Sequence, residues 1–291
     1  MGMEKSLKLG NELVEQVWQK MNPNELPRLR QGPRERVVVI DGSYDHIEKI
    51  LDEAKVPYTK LNKFPNKEDL SQGGRYFNSK VIFANCDASY HQGLGAKNVT
   101  SENRSALRHF IENGGRMVTT DWAQTVVRYL FGAIQAKEGV TADEVVKVKF
   151  TSSLAAKISG ITYGNAKPNW WLESSSDIIR FDKESPIISL VESEELEKKY
   201  GSKYIAVGLP HENGEVFHFV SHLIAQRLKN YSKGDRECLR TFLDLTGTSM
   251  KDCDGSKLTF GEIETTYTLM YTVLELCRDG NILKKLKGGV S

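Results

Sequence analysis

The chain has 291 residues, 39% hydrophobic and 27% charged, which suits one large domain or two small ones with a real core and excludes the disordered and collagen-like classes. Its 40 basic and 38 acidic side chains leave a net charge of +2, so no global field favours nucleic acid or an anionic membrane. No apolar run approaches the ~20 residues that span a bilayer, and the N-terminal MGMEKSLKLGNELVEQ carries acidic residues where a signal peptide needs an apolar stretch. A cytoplasmic protein is the expectation. The 4 cysteines, Cys86, Cys238, Cys253 and Cys277, form no C-x-x-C pair, which predicts free thiols and no structural zinc.

Apolar residues at Leu7, Leu9, Leu13, Val17 and Trp18 predict a lead-in helix that ends near Met21, followed by a proline-containing linker over residues 21–36. Val37-Val38-Val39-Ile40 then runs into Asp41-Gly42-Ser43, the pattern of a strand buried on both faces of a parallel sheet. Ile47, Ile50, Leu51 and Ala54 share one helical face, and residues 56–61 follow as a second strand. Residues 80–86 form another buried strand. After a Gly/Ser/Asn-rich loop, residues 101–113 form an amphipathic helix stopped by Gly114-Gly115. Residues 116–120 are the next strand, leading at once into a helix from about Asp121 to Phe131. This alternation predicts a doubly wound α/β sheet. Beyond Gly139, strands at 145–150, 169–173, 187–191, 204–209 and 216–220 read as the second half of the same sheet with a β-rich insertion. Helical spacing returns at 236–245 and 259–277, as an appendage on the sheet, and residues 284–289 are polar and basic.

Ligands of an open parallel sheet bind at the carboxyl ends of the strands. Four tips stand out: Asp41-Gly42-Ser43-Tyr44, Asn85-Cys86-Asp87, Thr119-Thr120-Asp121-Trp122 and Ser221-His222. Short polar residues at such tips also serve as turn and cap residues. Asp121 is read either as the N-cap of the helix after it or as a base or ligand-binding carboxylate paired with His222. Cys86 is read either as a buried small hydrophobe or, if His222 or a helix N-terminus activates it, as the nucleophile of a rearranged site. His91 is either a solvated loop residue or one that closes over the crevice. His218 and His222 stand four apart on a strand pattern, ~13 Å in extended chain, which disfavours a metal site. Gln92-Gly93-Leu94-Gly95-Ala96-Lys97 lacks the spacing of a phosphate loop. Trp170 and Trp171, near Asn165, Lys167 and Pro168, offer a sugar or peptide platform with at most one of the two exposed.

The strand VIFANC, the helix ending in ENGG, the strand RMVTT with its turn DWAQ, and the late strand GEVFHFVSH together resemble the class I glutamine amidotransferase-like superfamily, including its trehalose-utilisation (ThuA-like) branch. The resemblance covers roughly residues 36–228. It implies a flavodoxin-like, mostly parallel sheet, an oxyanion loop after the first of these strands, a nucleophile elbow after the second and a histidine, here His222, after the last. The chain departs from that pattern at the elbow. Asp121 stands where the superfamily has its cysteine, which removes the expectation of glutaminase activity, because that chemistry needs a polarizable thiolate. Threonine and alanine stand where the elbow has glycines, which weakens the expectation of a tight strand-to-helix turn. The His-x-Glu pair is also missing, since Ile224 takes the second place.

The expected organisation is an N-terminal helix and linker over 1–35, the amidotransferase-like domain over 36–230 and a C-terminal helical segment over 231–291. Candidate catalytic residues are Asp121, His222 and Cys86. Candidate ligand contacts are Asp41, Ser43, Asn85, Asp87, His91, Asp121, Trp122 and His222, with no metal and no cofactor. The leading functional expectation is a non-catalytic binding or assembly module with a protein partner or a second copy of itself. The alternative is a ThuA-like enzyme or sensor for a sugar or other small polar ligand.

Overall fold

The computed structural model describes residues 3–91, 97, 99–132, 134–151, 169–181, 185–223, 249 and 260–288. The helix expected over 236–245, Cys238, Cys253, Ile224 and the Gln92-to-Ala96 loop lie outside these residues.

The chain enters through α1 (Met3–Met21) and α2 (Glu25–Gln31). The stretch expected to be a linker therefore contains a helix. Pro27 is tolerated because it sits in the first turn, where its missing N–H removes no intrahelical bond. There follow β1 (Val37–Ile40), α3 (Glu48–Ala54), β2 (Thr59–Leu61), α4 (Lys67–Leu70), β3 (Val81–Ala84), α5 (Ser101–Glu112), β4 (Arg116–Thr120) and α6 (Gln124–Phe131). The β-rich section supplies β5 (Gln135–Lys137), β6 (Glu144–Lys147), β7 (Lys149–Phe150), β8 (Asn169–Leu172), β9 (Ile178–Arg180) and β10 (Ile188–Glu192). The chain then forms α7 (Glu194–Tyr200), β11 (Tyr204–His211), β12 (Gly214–Phe219), α8 (Phe260–Leu276) and α9 (Ile282–Gly288).

The main sheet has 8 strands in the order β2-β1-β3-β4-β12-β11-β10-β7. It is parallel from β2 to β12 and antiparallel beyond. Every residue of β1, β3, β4 and β12 is buried, as expected of strands with layers on both faces. The insertion divides: β7 and β10 extend the main sheet, while β5 pairs with β9 and β6 with β8 in separate two-stranded ladders. Helices lie on both sides of the sheet. On one side α1, α3 and α8 pack together, with the rings of Trp18 and Tyr271 edge-on at 6.0 Å. Elsewhere α5 packs against α4 and α6. Among the described residues no helix is long and apolar enough to cross a membrane.

From β1 the chain first pairs on one side with β2 and then crosses to β3 on the other, which opens a crevice at the carboxyl ends of β1 and β3. The two tips approach closely at Gly42. A Cβ there would stand 2.4 Å from the Cys86 carbonyl oxygen and 2.6 Å from the Asn85 Cβ, so only glycine fits.

Candidate functional site at the strand tips

Three residues that end three neighbouring strands meet in one buried centre. Cys86 follows β3, Asp121 follows β4 and His222 follows β12, and one donor atom from each lies within 4.8 Å of the others. Cys86 Sγ is 3.7 Å from Asp121 Oδ2, and His222 Nε2 is 3.5 Å from the same oxygen. On its other side His222 Nδ1 is 2.5 Å from Glu173 Oε2.

The backbone is strained where it delivers these groups. Asp121 has φ +45° and Ser221, next to His222, has φ +66°, a left-handed conformation that costs a non-glycine residue energy. The sharp strand-to-helix turn therefore forms without the elbow glycines. The Asp121 carboxylate accepts hydrogen bonds from the Asp177 N–H (3.0 Å) and the Ser176 hydroxyl (3.1 Å), which hold the turn from the inserted section. Neither the short turn Asp121–Ala123 nor α6 receives a side-chain cap. The N-cap reading of Asp121 is thereby replaced: the carboxylate points into the centre.

Burial and neighbours set the protonation of the centre. Desolvation pushes Asp121 up to about 7, against the opposing pull of His222 and the Asp177 N–H. Desolvation disfavours charge on His222, but the hydrogen bond to Glu173 and the nearby Asp45 and Asp121 carboxylates outweigh it and raise its pKa. The Cys86 thiol is pushed well above its usual range by burial and by the Asp121 carboxylate, so it is held neutral. Without a bound ion the centre thus contains two groups whose pKa values are raised and a thiol held neutral. Only Glu173, with 35% of its side chain exposed, reaches water.

An aromatic layer covers the centre. The Tyr44 ring stacks on His222 with centroids 6.2 Å apart, Trp122 meets Tyr44 edge-on at 5.3 Å, and His91 packs on Trp122 at 3.9 Å. Beside this layer lies a cavity of about 280 Å³ lined by Tyr90, His91, Trp122, Thr125, Arg128, Glu138 and Asp177. His91, expected either in solvent or over the crevice, is exposed, with its ring against Trp122.

The other candidates build the frame. Asp41 pairs with Lys60 at 2.8 Å, and its carbonyl accepts from Lys97 Nζ. The Ser43 hydroxyl donates to Asp87 Oδ2 at 2.7 Å, and Lys97 stands 3.5 Å from the same carboxylate. Against the effect of its burial, hydrogen bonding from Ser89 first, then Ser43 and the Lys97 charge, depresses Asp87 to about 2. Asn85 is fully buried, accepts from the Ile47 N–H and donates to Glu48 Oε2, which fixes the start of α3. The expected tryptophan platform is absent. Trp170 and Trp171 are both buried, donating to the Val220 carbonyl at 2.8 Å and to Asp143 Oδ1 at 2.6 Å.

Sequence reasoning missed Glu173, Ser176, Asp177 and Asp45. Glu173, just after β8, places its carboxylate against His222 Nδ1. Its N–H donates to Ser221 Oγ at 3.1 Å, and the Trp170 bond to Val220 holds β8 under the tip of β12. Asp45 accepts from the His46 and Leu223 N–H groups, each at 2.9 Å, clipping the β1 loop to the β12 loop. The available signal for Glu173 was its place as the polar residue ending the apolar run Trp170-Trp171-Leu172.

No protein-family model matches this chain, and no curated protein matches it. Among solved structures it is similar to a glutamine amidotransferase from Thermotoga maritima, with a TM-score of 0.51 and 8% identity over 85% of this chain and 100% of that one. It is also similar to a glutamine amidotransferase from Methylobacillus flagellatus (TM-score 0.49, 11% identity, 84% of this chain and 95% of that one). A third similar structure is a ThuA-like protein from Bacteroides uniformis (TM-score 0.42, 12% identity, 66% of this chain and 84% of that one). At such identities the likeness is one of fold, and the chain has the glutamine amidotransferase-like α/β fold with its carboxyl-end crevice.

Proposed function

We propose that the strand tips form an enzyme-type site for a sugar or other small polar molecule. The observation that carries this reading is the convergence of Cys86, Asp121 and His222 from three separate tips to within 4.8 Å. A fold stabilises itself more readily with apolar residues than with a buried carboxylate, imidazole and thiol in contact, so such a cluster marks function. The adjoining cavity of about 280 Å³ is at the small end of ligand sites, and its Trp122 face, Arg128 and Glu138 suit a compact polar ligand. Asp177 connects cavity to centre: the residue lines the cavity and its N–H donates to Asp121 Oδ1.

On this reading Glu173 orients His222 from its Nδ1 side, and His222 presents Nε2 to the buried centre. This reading assigns the site no glutaminase role: Asp121 offers a carboxylate rather than a thiolate, and the Cys86 thiol beside it is held neutral. A second reading, a non-catalytic binding or assembly module in a larger protein system, is favoured by the seal over the centre. Asp121 and His222 are each 2% exposed beneath Tyr44 and Trp122.

Native mass spectrometry of the protein isolated gently from its own host tests both. A bound small polar molecule that is lost in Arg128→Ala supports the ligand site. A stoichiometric protein partner with no small molecule overturns it in favour of the assembly module.

A further inference from the structure

We infer that Cys86, Asp121 and His222 bind one divalent transition-metal ion, and that the donor set selects zinc. The inference rests on the strand tips being a ligand site, and it adds a cofactor to that site. A tetrahedral zinc ion with bonds of about 2.0–2.3 Å has neighbouring donors about 3.3–3.6 Å apart. The observed separations are 3.7 Å from Cys86 Sγ to Asp121 Oδ2 and 3.5 Å from that oxygen to His222 Nε2. Two of the three donor separations are thus close to the edge of a coordination tetrahedron, and the third is within 4.8 Å.

The second observation is the outer partner of the histidine. Glu173 Oε2 lies 2.5 Å from His222 Nδ1, which leaves Nε2 directed at the other two donors. A carboxylate behind a ligating imidazole fixes its tautomer and orientation and strengthens it as a ligand. Burial is the third. The side chains of Asp121 and His222 are each 3% exposed and Cys86 is fully buried, and a divalent ion offsets the cost of gathering them.

The other cluster with ligand-like spacing, Asp41, His46 and Glu48, lacks this character. Lys60 Nζ stands 2.8 Å from both carboxylates and already supplies the cation there. At the strand tips, one sulfur, one nitrogen and one oxygen donor favour a borderline-soft ion over magnesium or calcium. Three protein ligands leave a fourth position of the ion for water or substrate, the arrangement of a catalytic zinc site. His218, four residues before His222, turns to Thr119 and stands apart from the three donors. The ligands come instead from three strand tips, for which sequence spacing carries no signal.

The test is titration of the chelator-treated full chain with zinc and, separately, with cobalt(II). One ion per chain is expected, with a cobalt–thiolate charge-transfer absorption that disappears in Cys86→Ser and persists in Cys277→Ser. Glu173→Gln, which keeps all three donors, should weaken zinc binding about 10- to 100-fold. Failure of the folded, chelator-treated wild type to bind zinc one-to-one overturns the inference, as does a cobalt spectrum unchanged by Cys86→Ser. A polar molecule bound to a chain that takes no zinc would sink the metal alone. Zinc bound to a chain that carries only a protein partner would sink the small-ligand reading and leave the metal standing.

Discussion

Nδ1 of His218 lies 2.9 Å from Oγ1 of Thr119, its register partner on the adjacent parallel strand, each one residue short of its strand's carboxyl end. Fully buried, His218 is pushed down by desolvation to about 3, so the fold holds it neutral. The unfolded chain binds a proton near its ordinary value of 6.5. The stability contributed by this residue is therefore fully present above that value and is lost as pH falls toward about 3. His218→Gln keeps a hydrogen-bonding group but cannot titrate. The difference in unfolding free energy between wild type and His218→Gln should shrink as pH falls from about 7 to about 4. A difference independent of pH, measured by urea unfolding, would sink the assignment.

Cys86 is fully buried and its thiol is held neutral, so in chelator-treated protein it should react with iodoacetamide at neutral pH at least about tenfold more slowly than glutathione. Peptide mapping of the alkylated protein gives the rate at this residue alone. A rate faster than that of glutathione would restore the reading of Cys86 as an activated nucleophile.

How far the sequence reveals such features depends on what each one requires. Val37–Ile40 and Val81–Ala84 are legible because a strand covered on both faces must be apolar throughout, and that demand is local. The tips that follow them are legible for the same reason, since the crevice lies wherever such strands end. Glu173 is not, because its place beside His222 depends on Trp170 reaching the Val220 carbonyl across the sheet. The turn at Asp121 is illegible in a different way. Glycine is the local signal for a positive φ, and here Ser176 and the Asp177 N–H, distant in sequence, hold an aspartate in that conformation instead. Pro27 misleads because proline breaks a helix interior yet is accepted in a first turn.

Gly42 makes the closest approach between the tips of β1 and β3, so Gly42→Ala tests how tightly that crevice is specified. The new methyl would stand 2.4 Å from a backbone oxygen, and backbone cannot move aside as a flexible side chain can. Overpacking of this kind costs about 1–3 kcal/mol. Urea unfolding should show that loss with an unchanged denaturant slope. A neutral substitution would mean that the tips are free to separate.

The opposite end of the sheet carries a buried ion pair that ties the C-terminal helices to the strands. Arg116 Nε donates to Glu215 Oε1 at 2.7 Å, and its guanidinium also reaches the carbonyls of Leu276, Arg278 and Gly280. Glu215 in turn accepts from the backbone N–H groups of Ile282 and Leu283 at the start of α9. Both side chains are almost fully buried, so removing one charge leaves the other without its partner in a medium that solvates it poorly. Glu215→Gln should therefore cost about 3–5 kcal/mol. The same reasoning makes the double substitution Arg116→Met with Glu215→Leu cost less than the sum of the single ones, because it removes both charges and leaves neither stranded. A double-mutant cycle measured by urea unfolding checks the coupling, and hydrogen exchange at Ile282 and Leu283 checks the attachment of α9. If the single substitutions cost no more than an exposed pair, about 1 kcal/mol or less, the pair does not hold the C-terminal helices to the sheet.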